Sequence, residues 1–143
     1  MFYKIKNYTL NKKKISSQEI LKLINLTENF EVSELIDNCL AKNNNKIINI
    51  LSENNYSPED CIIILRTFLS KAKRILKLAI DLEKNKDINK TINSAKPPIF
   101  WKDKEIVKVQ LNKWKTNKIK ELIKNINNVE LEIKKNYNNS ILI

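Results

Sequence analysis

The chain has 143 residues, 42% hydrophobic and 30% charged, a balance typical of one ordinary globular domain or two very small helical ones. It contains no glycine and no histidine, and its formal net charge is +11. Lack of glycine disfavours phosphate-cradling loops, dinucleotide fingerprints and hairpin-rich β folds, which lean on positive φ. Lack of histidine removes the commonest general base, the Ser–His and Cys–His nucleophile pairs and most zinc sites. An all-α fold is the economical expectation, with Asn clusters taking glycine's place where helices stop.

The charge suits an acidic partner such as nucleic acid. Lys, Asn and Ile dominate the whole chain, however, as they would under an AT-biased codon supply, so much of the charge is assigned to solvated helix faces. Cys39 and Cys61 fall on apolar helix faces without CxxC spacing and read as small buried hydrophobes in a reducing compartment. The stretch MFYKIKNYTLNKKK has no continuous apolar core, and no run approaches the ~20 apolar residues that span a bilayer. A cytoplasmic protein without a membrane partner is expected.

In chain order, Phe2, Ile5, Tyr8 and Leu10 mix strand-like and helix-like spacing and look like the tail of an earlier element. Ser16 and Glu19 then form a capping box for a short helix carrying Ile20, Leu21, Leu23, Ile24 and Leu26, ended by Asn25, Thr27 and Asn29. A second helix near Glu31 to Ala41 presents Val32, Leu35, Ile36, Cys39 and Leu40. After Asn43 to Asn45, a third carries Ile47, Ile48, Ile50 and Leu51.

The fourth helix, Ser57 to Lys84, is the expected spine. Ser57 caps it, Pro58 stands at N1, and Glu59 and Asp60 oppose the helix dipole. Cys61, Leu65, Phe68, Ala72, Ile75, Ala79 and Leu82 recur at alternating steps of four and three, with Ile62, Leu69 and Leu76 beside them. A stripe that wide marks a core helix touched on more than one side. Short connections make residues 15–84 one helical unit of antiparallel neighbours.

Residues 85–98 form a connector with a weak helix around Ile88 and Ile92, stopped by Pro97-Pro98. Ile99, Phe100 and Trp101 follow as a dense apolar clump. They are expected chiefly to bury themselves as an anchor, the competing reading being a partner contact. Asp103 is expected to cap a helix with Ile106, Val107, Val109, Gln110, Leu111 and Trp114 available for packing. Thr116 is expected to cap a long last helix with Ile119, Leu122, Ile123, Ile126, Val129 or Glu130, and Ile133 on one face.

Carboxylates are scattered and mostly sit in first helical turns, where the dipole accounts for them. Glu130 and Lys134, four apart, are an ordinary surface pair in the less favourable order. The chain is therefore read as non-catalytic, with no metal, no cofactor and no small-molecule substrate.

The arrangement resembles the C-terminal part of the bacterial DNA polymerase III delta subunit, a clamp-loader component. The likeness rests on Lys96-Pro97-Pro98-Ile99-Phe100-Trp101-Lys102, on the Gln110-Leu111-Asn112-Lys113-Trp114 run, and on Glu130 with Lys134 in the closing helix. Upstream, Asn29-Phe30 to Leu40 looks like the helix opening the family's lid-type core, and Ser57 to Leu78 like the one after it. The likeness runs from about Ile5 onward. It implies a lid-type unit at 15–84, a connector at 85–98 and the C-terminal part of a collar domain at 99–143. It also implies other clamp-loader subunits as partners and weak, electrostatic contact with DNA.

The family's nucleotide-binding-like, clamp-contacting domain has no counterpart here, so the chain is expected to be a fragment, a truncated frame or a split subunit. Pro97, Pro98, Phe100, Trp101, Trp114, Ile126, Glu130, Ile133 and Lys134 are the motif and interface candidates. Ile99, Phe100, Trp101 and Trp114 are expected on the inner side of the closing unit. Ile126, Ile133 and the Ile141-Leu142-Ile143 tail are expected on an exposed outer side. The alternative is a free-standing basic all-α module that binds nucleic acid through its lysine faces.

Overall fold

The computed structural model describes residues 16–141, with the side chains of 21–29 and 137–141 outside that description. The expected roles of Phe2, Ile5, Tyr8, Leu10 and the 141–143 tail fall outside the described residues. The fold is all-α, and no strand occurs among the described residues. Among the described residues six α-helices follow in order: α1 (Ser17–Leu40), α2 (Asn44–Glu53), α3 (Pro58–Asn85), α4 (Ile88–Asn93), α5 (Lys104–Lys113) and α6 (Thr116–Ile141). A 3₁₀ turn at Trp101–Asp103 precedes α5.

The first two expected helices are one. Asn25, Thr27 and Asn29 do not interrupt α1, which runs unbroken for 24 residues. These residues are only mildly unfavourable in a helix, by less than about 1 kcal/mol each, and the stretch holds neither the Gly nor the Pro that would stop it. The chain divides into two compact units, 1–34 and 35–143, with the boundary inside α1.

In the first unit, the Ser16 hydroxyl accepts from the Glu19 amide at 3.2 Å while Glu19 Oε2 accepts from the Ser16 amide at 3.0 Å. This reciprocal capping box opens α1. Further along, Val32 is buried and Phe30 is exposed.

The second unit is built around α3. Its start is as the sequence suggests: the Ser57 side chain accepts from the Asp60 amide, Asp60 returns to the Ser57 amide at 2.7 Å, and Pro58 opens the helix. Burial, however, is concentrated in the second half of the expected stripe. Ala72, Ile75, Leu78 and Ala79 are buried, Leu65, Phe68 and Leu69 are half-buried, and Cys61 is exposed. The reason is the placement of neighbours. Helix α6 runs beside α3, and α4 and α5 also pack against it. The N-terminal turns of α3 therefore carry an apolar pattern that is only partly covered. Cys61 is accordingly no core residue, whereas the Cys39 thiol is pushed above its ordinary pKa by burial.

Two chain reversals depart from the Asn expectation. The positive-φ positions are Lys42 (φ 56) and Lys86 (φ 57), both exposed lysines. Asn43 instead caps α2, its side chain accepting from the Lys46 amide. Single non-glycine residues occupy the left-handed region at a cost of about 1–2 kcal/mol, which is tolerable at a helix end. At Lys86, the amide donates to the Leu82 carbonyl at 2.8 Å and closes α3.

Neither expected cap of the last two helices is used. Asp103 makes no capping bond, because the 3₁₀ turn, with the Asp103 amide donating to the Phe100 carbonyl at 2.9 Å, leads straight into α5. Thr116 already lies inside α6, and its hydroxyl donates to Glu83 of α3.

Ile75 is 2% exposed, so Ile75→Ala should cost about 2–5 kcal/mol through lost transfer energy and a residual cavity. Half-buried Phe68 should cost less on truncation than its ring size implies. Urea unfolding of the two variants, followed by far-ultraviolet circular dichroism, checks the order.

Candidate partner interface

Beyond α4, where Thr91 and Ile92 are buried, the connector reaches the core again at Ile99. Ile99 is buried, whereas Phe100 is 56% and Trp101 69% exposed. The expectation that both rings close the inner side is therefore corrected. Pro97 and Pro98 hold the approach away from helix, and the 3₁₀ turn begins at Trp101, so the chain swings outward directly after Ile99. A tight turn directs only some of its side chains inward, and Ile99 takes that position.

The exposed rings are nonetheless ordered with respect to each other. Their centroids lie 5.8 Å apart at 47°, and Lys102 Nζ stands 5.4 Å from the Trp101 ring. The Lys77 ammonium donates to the Lys96 carbonyl at 2.8 Å, fastening the connector to α3. Pro97 and Pro98 are themselves exposed.

The Gln-Leu-x-x-Trp run is structural. Gln110 is buried, and its Nε2 donates to the Asp37 carbonyl at 3.0 Å and to Asp37 Oδ1 at 3.4 Å. Lys71 of α3 donates to Asp37 Oδ2 at 2.6 Å. Trp114 is half-buried, its indole N–H donates to the Leu40 carbonyl at 2.7 Å, and Lys42 Nζ sits 4.4 Å from the ring centroid. Gln110 and Trp114 thus read two successive regions at the end of α1. The sequence reading missed Asp37 and Lys71 altogether. Their 34-residue separation leaves no local signal.

On α6 the interface candidates separate. Ile126 is 5% exposed and faces inward with Ile119, seven residues earlier, so its expected outer placement is corrected. The period that makes α6 amphipathic puts both residues on the side toward α3, where Arg66 of α3 meets Glu130 of α6. Ile133 is half-buried, and the exposed apolar positions of this segment are Val129 and Leu131.

Glu130 is more than a surface pair. Its carboxylate, 16% exposed, lies 3.0 Å from Lys134 Nζ and 3.8 Å from Arg66 Nε. The hydrogen bond from Lys134, joined by the attraction of Lys134 and Arg66, holds its pKa below the ordinary value against partial desolvation.

No group of three or more His, Cys, Asp or Glu is disposed to hold a metal among the described residues. No described helix is long and apolar enough to cross a membrane. No protein-family model, no curated protein and no solved structure matches this chain.

Because the folded carboxylate of Glu130 binds its proton less readily than the unfolded one, its contribution is fully present above its ordinary value of 4.5 and is lost as pH falls through the lower folded value. Glu130→Gln should therefore lower stability at neutral pH and flatten the loss seen on acidification below about 4.5, as read from thermal midpoints at stepped pH. Trp114→Phe, which removes the indole N–H held by the Leu40 carbonyl together with part of the ring, should cost at least about 1 kcal/mol in urea unfolding.

Proposed function

We propose that this chain is the C-terminal part of a delta-type clamp-loader subunit, a non-catalytic assembly module of DNA replication acting in the cytoplasm. In this reading the N-terminal helices correspond to a lid-type unit and the segment from Ile99 onward to part of a collar that packs against other clamp-loader subunits. The observation that supports it best is the outward presentation of Phe100 and Trp101, two adjacent aromatics on a turn anchored by buried Ile99. Large rings left in water and held in a fixed relation are the kind of residue that carries binding energy at protein interfaces. They belong to the same Pro-Pro-apolar-aromatic-Lys run on which the family resemblance rests. Val129 and Leu131 add exposed apolar surface on the last helix. Contact with DNA in this reading is electrostatic and non-specific, through exposed lysines.

Mixing the chain with the other clamp-loader subunits and following size-exclusion chromatography tests the proposal. Co-elution should be lost in the Phe100→Ser, Trp101→Ser double variant while helicity stays unchanged, since neither ring supports the core. Failure of the wild-type chain to associate at micromolar concentration would overturn the reading. Binding to duplex DNA should fall steeply between about 50 and 200 mM salt, as expected when lysines release counterions without reading bases.

A further inference from the structure

A groove of about 630 Å³ runs along α3 from Ser70 to Asp81, and the chain around Pro97 and Pro98 forms its other wall. Its composition is two-sided. Lys73, Arg74 and Lys77 line it from α3, and Lys96 lines it from the connector. Leu78, Ala95, Pro97 and Pro98 supply apolar lining, with Leu78 buried beneath. The bond from Lys77 to the Lys96 carbonyl ties the two walls together.

We propose that this groove receives an acidic peptide segment of a partner protein. An apolar side chain would settle against Leu78 and the two prolines, and carboxylates would meet Lys73, Arg74 and Lys96. Three features favour a peptide over nucleic acid. From Ser70 to Asp81 the helix advances about 16 Å, the reach of roughly five extended residues, so a short linear segment fits the length. No aromatic side chain lines the groove, so it lacks the stacking platform on which single-stranded bases bind. Asp81 also lies in the lining. A peptide can answer it with backbone N–H donors, whereas a phosphodiester backbone offers only acceptors and further negative charge. Cationic side chains clustered around an apolar floor are a recurrent means of holding acidic motifs. The surface is separate from the Phe100–Trp101 step and does not depend on the clamp-loader reading.

Fluorescence anisotropy of a labelled peptide alternating Glu and Leu, titrated with the full chain at low salt, tests the assignment. Saturable binding is expected, weakened about tenfold or more by Lys73→Glu with Lys96→Glu, both exposed residues whose reversal leaves the core intact. Lys113→Glu with Lys124→Glu, also exposed, makes the same change of charge elsewhere and should leave affinity nearly unchanged. A peptide with the leucines replaced by serine should bind more weakly than the parent. Equal loss from both lysine pairs, or no dependence on leucine, would reduce the groove to general electrostatic attraction and overturn the proposal. A thymidine oligonucleotide that binds with sensitivity to the groove variants, where the peptide shows none, would assign the groove to nucleic acid instead.

Discussion

Asp37 is the residue on which the second unit's architecture converges. Its carboxylate accepts from Lys71 on α3 and from Gln110 on α5, and its carbonyl accepts from the same Gln110 amide. One residue near the end of α1 is thereby held by two other helices. Leu40 follows Asp37 by three residues, less than one helical turn, and the Leu40 carbonyl is in turn taken by Trp114. Partly desolvated polar groups of this kind are costly to leave unmatched, so the set tolerates few alternative arrangements. Apolar packing supplies the driving force for collapse, but a stripe of Ile and Leu accepts sliding by a turn more readily than a shared carboxylate does.

That geometry explains why the aromatic step faces outward. With α5 pinned by Gln110 and Trp114, and the connector fastened through Lys77 and buried Ile99, the intervening turn carries Phe100 and Trp101 on its exposed side. Their exposure follows from constraints on either side of them. Exposed rings near two prolines form a pre-organised surface, which loses little further conformational entropy on contact with a partner.

The positive charge is unevenly employed. Lys71, Lys77, Lys42 and Lys134 each serve the fold: against Asp37, the Lys96 carbonyl, the Trp114 ring and Glu130 respectively. Lys73, Arg74 and Lys96 line one groove, in which Lys71 and Lys77 also stand. The fold, and not the number of lysines, is what gathers these cations along the groove.

Much was legible before any coordinates. The all-α class followed from the absence of glycine and the steps of three and four. The start of α3 followed from Ser57, Pro58 and Asp60, and the inward face of its later turns from Ala72, Ile75 and Ala79. These are local properties, determined by backbone sterics, caps and helical period within a few residues. Other features were decided only by tertiary structure. Whether Phe68, Cys61, Ile126 or Trp101 is covered depends on which neighbour lies above it, and periodicity marks a face without saying how much of it is occupied. The continuity of α1 through Asn25, Thr27 and Asn29 went against the break expected there, because small propensity penalties without Gly or Pro do not stop a helix. The Asp37–Lys71–Gln110 set joins residues 34 and 73 positions apart, so it leaves no spacing to read. Such pairings exist only once helices have packed, because helix packing, and not the order of residues, brings those polar atoms within bonding distance.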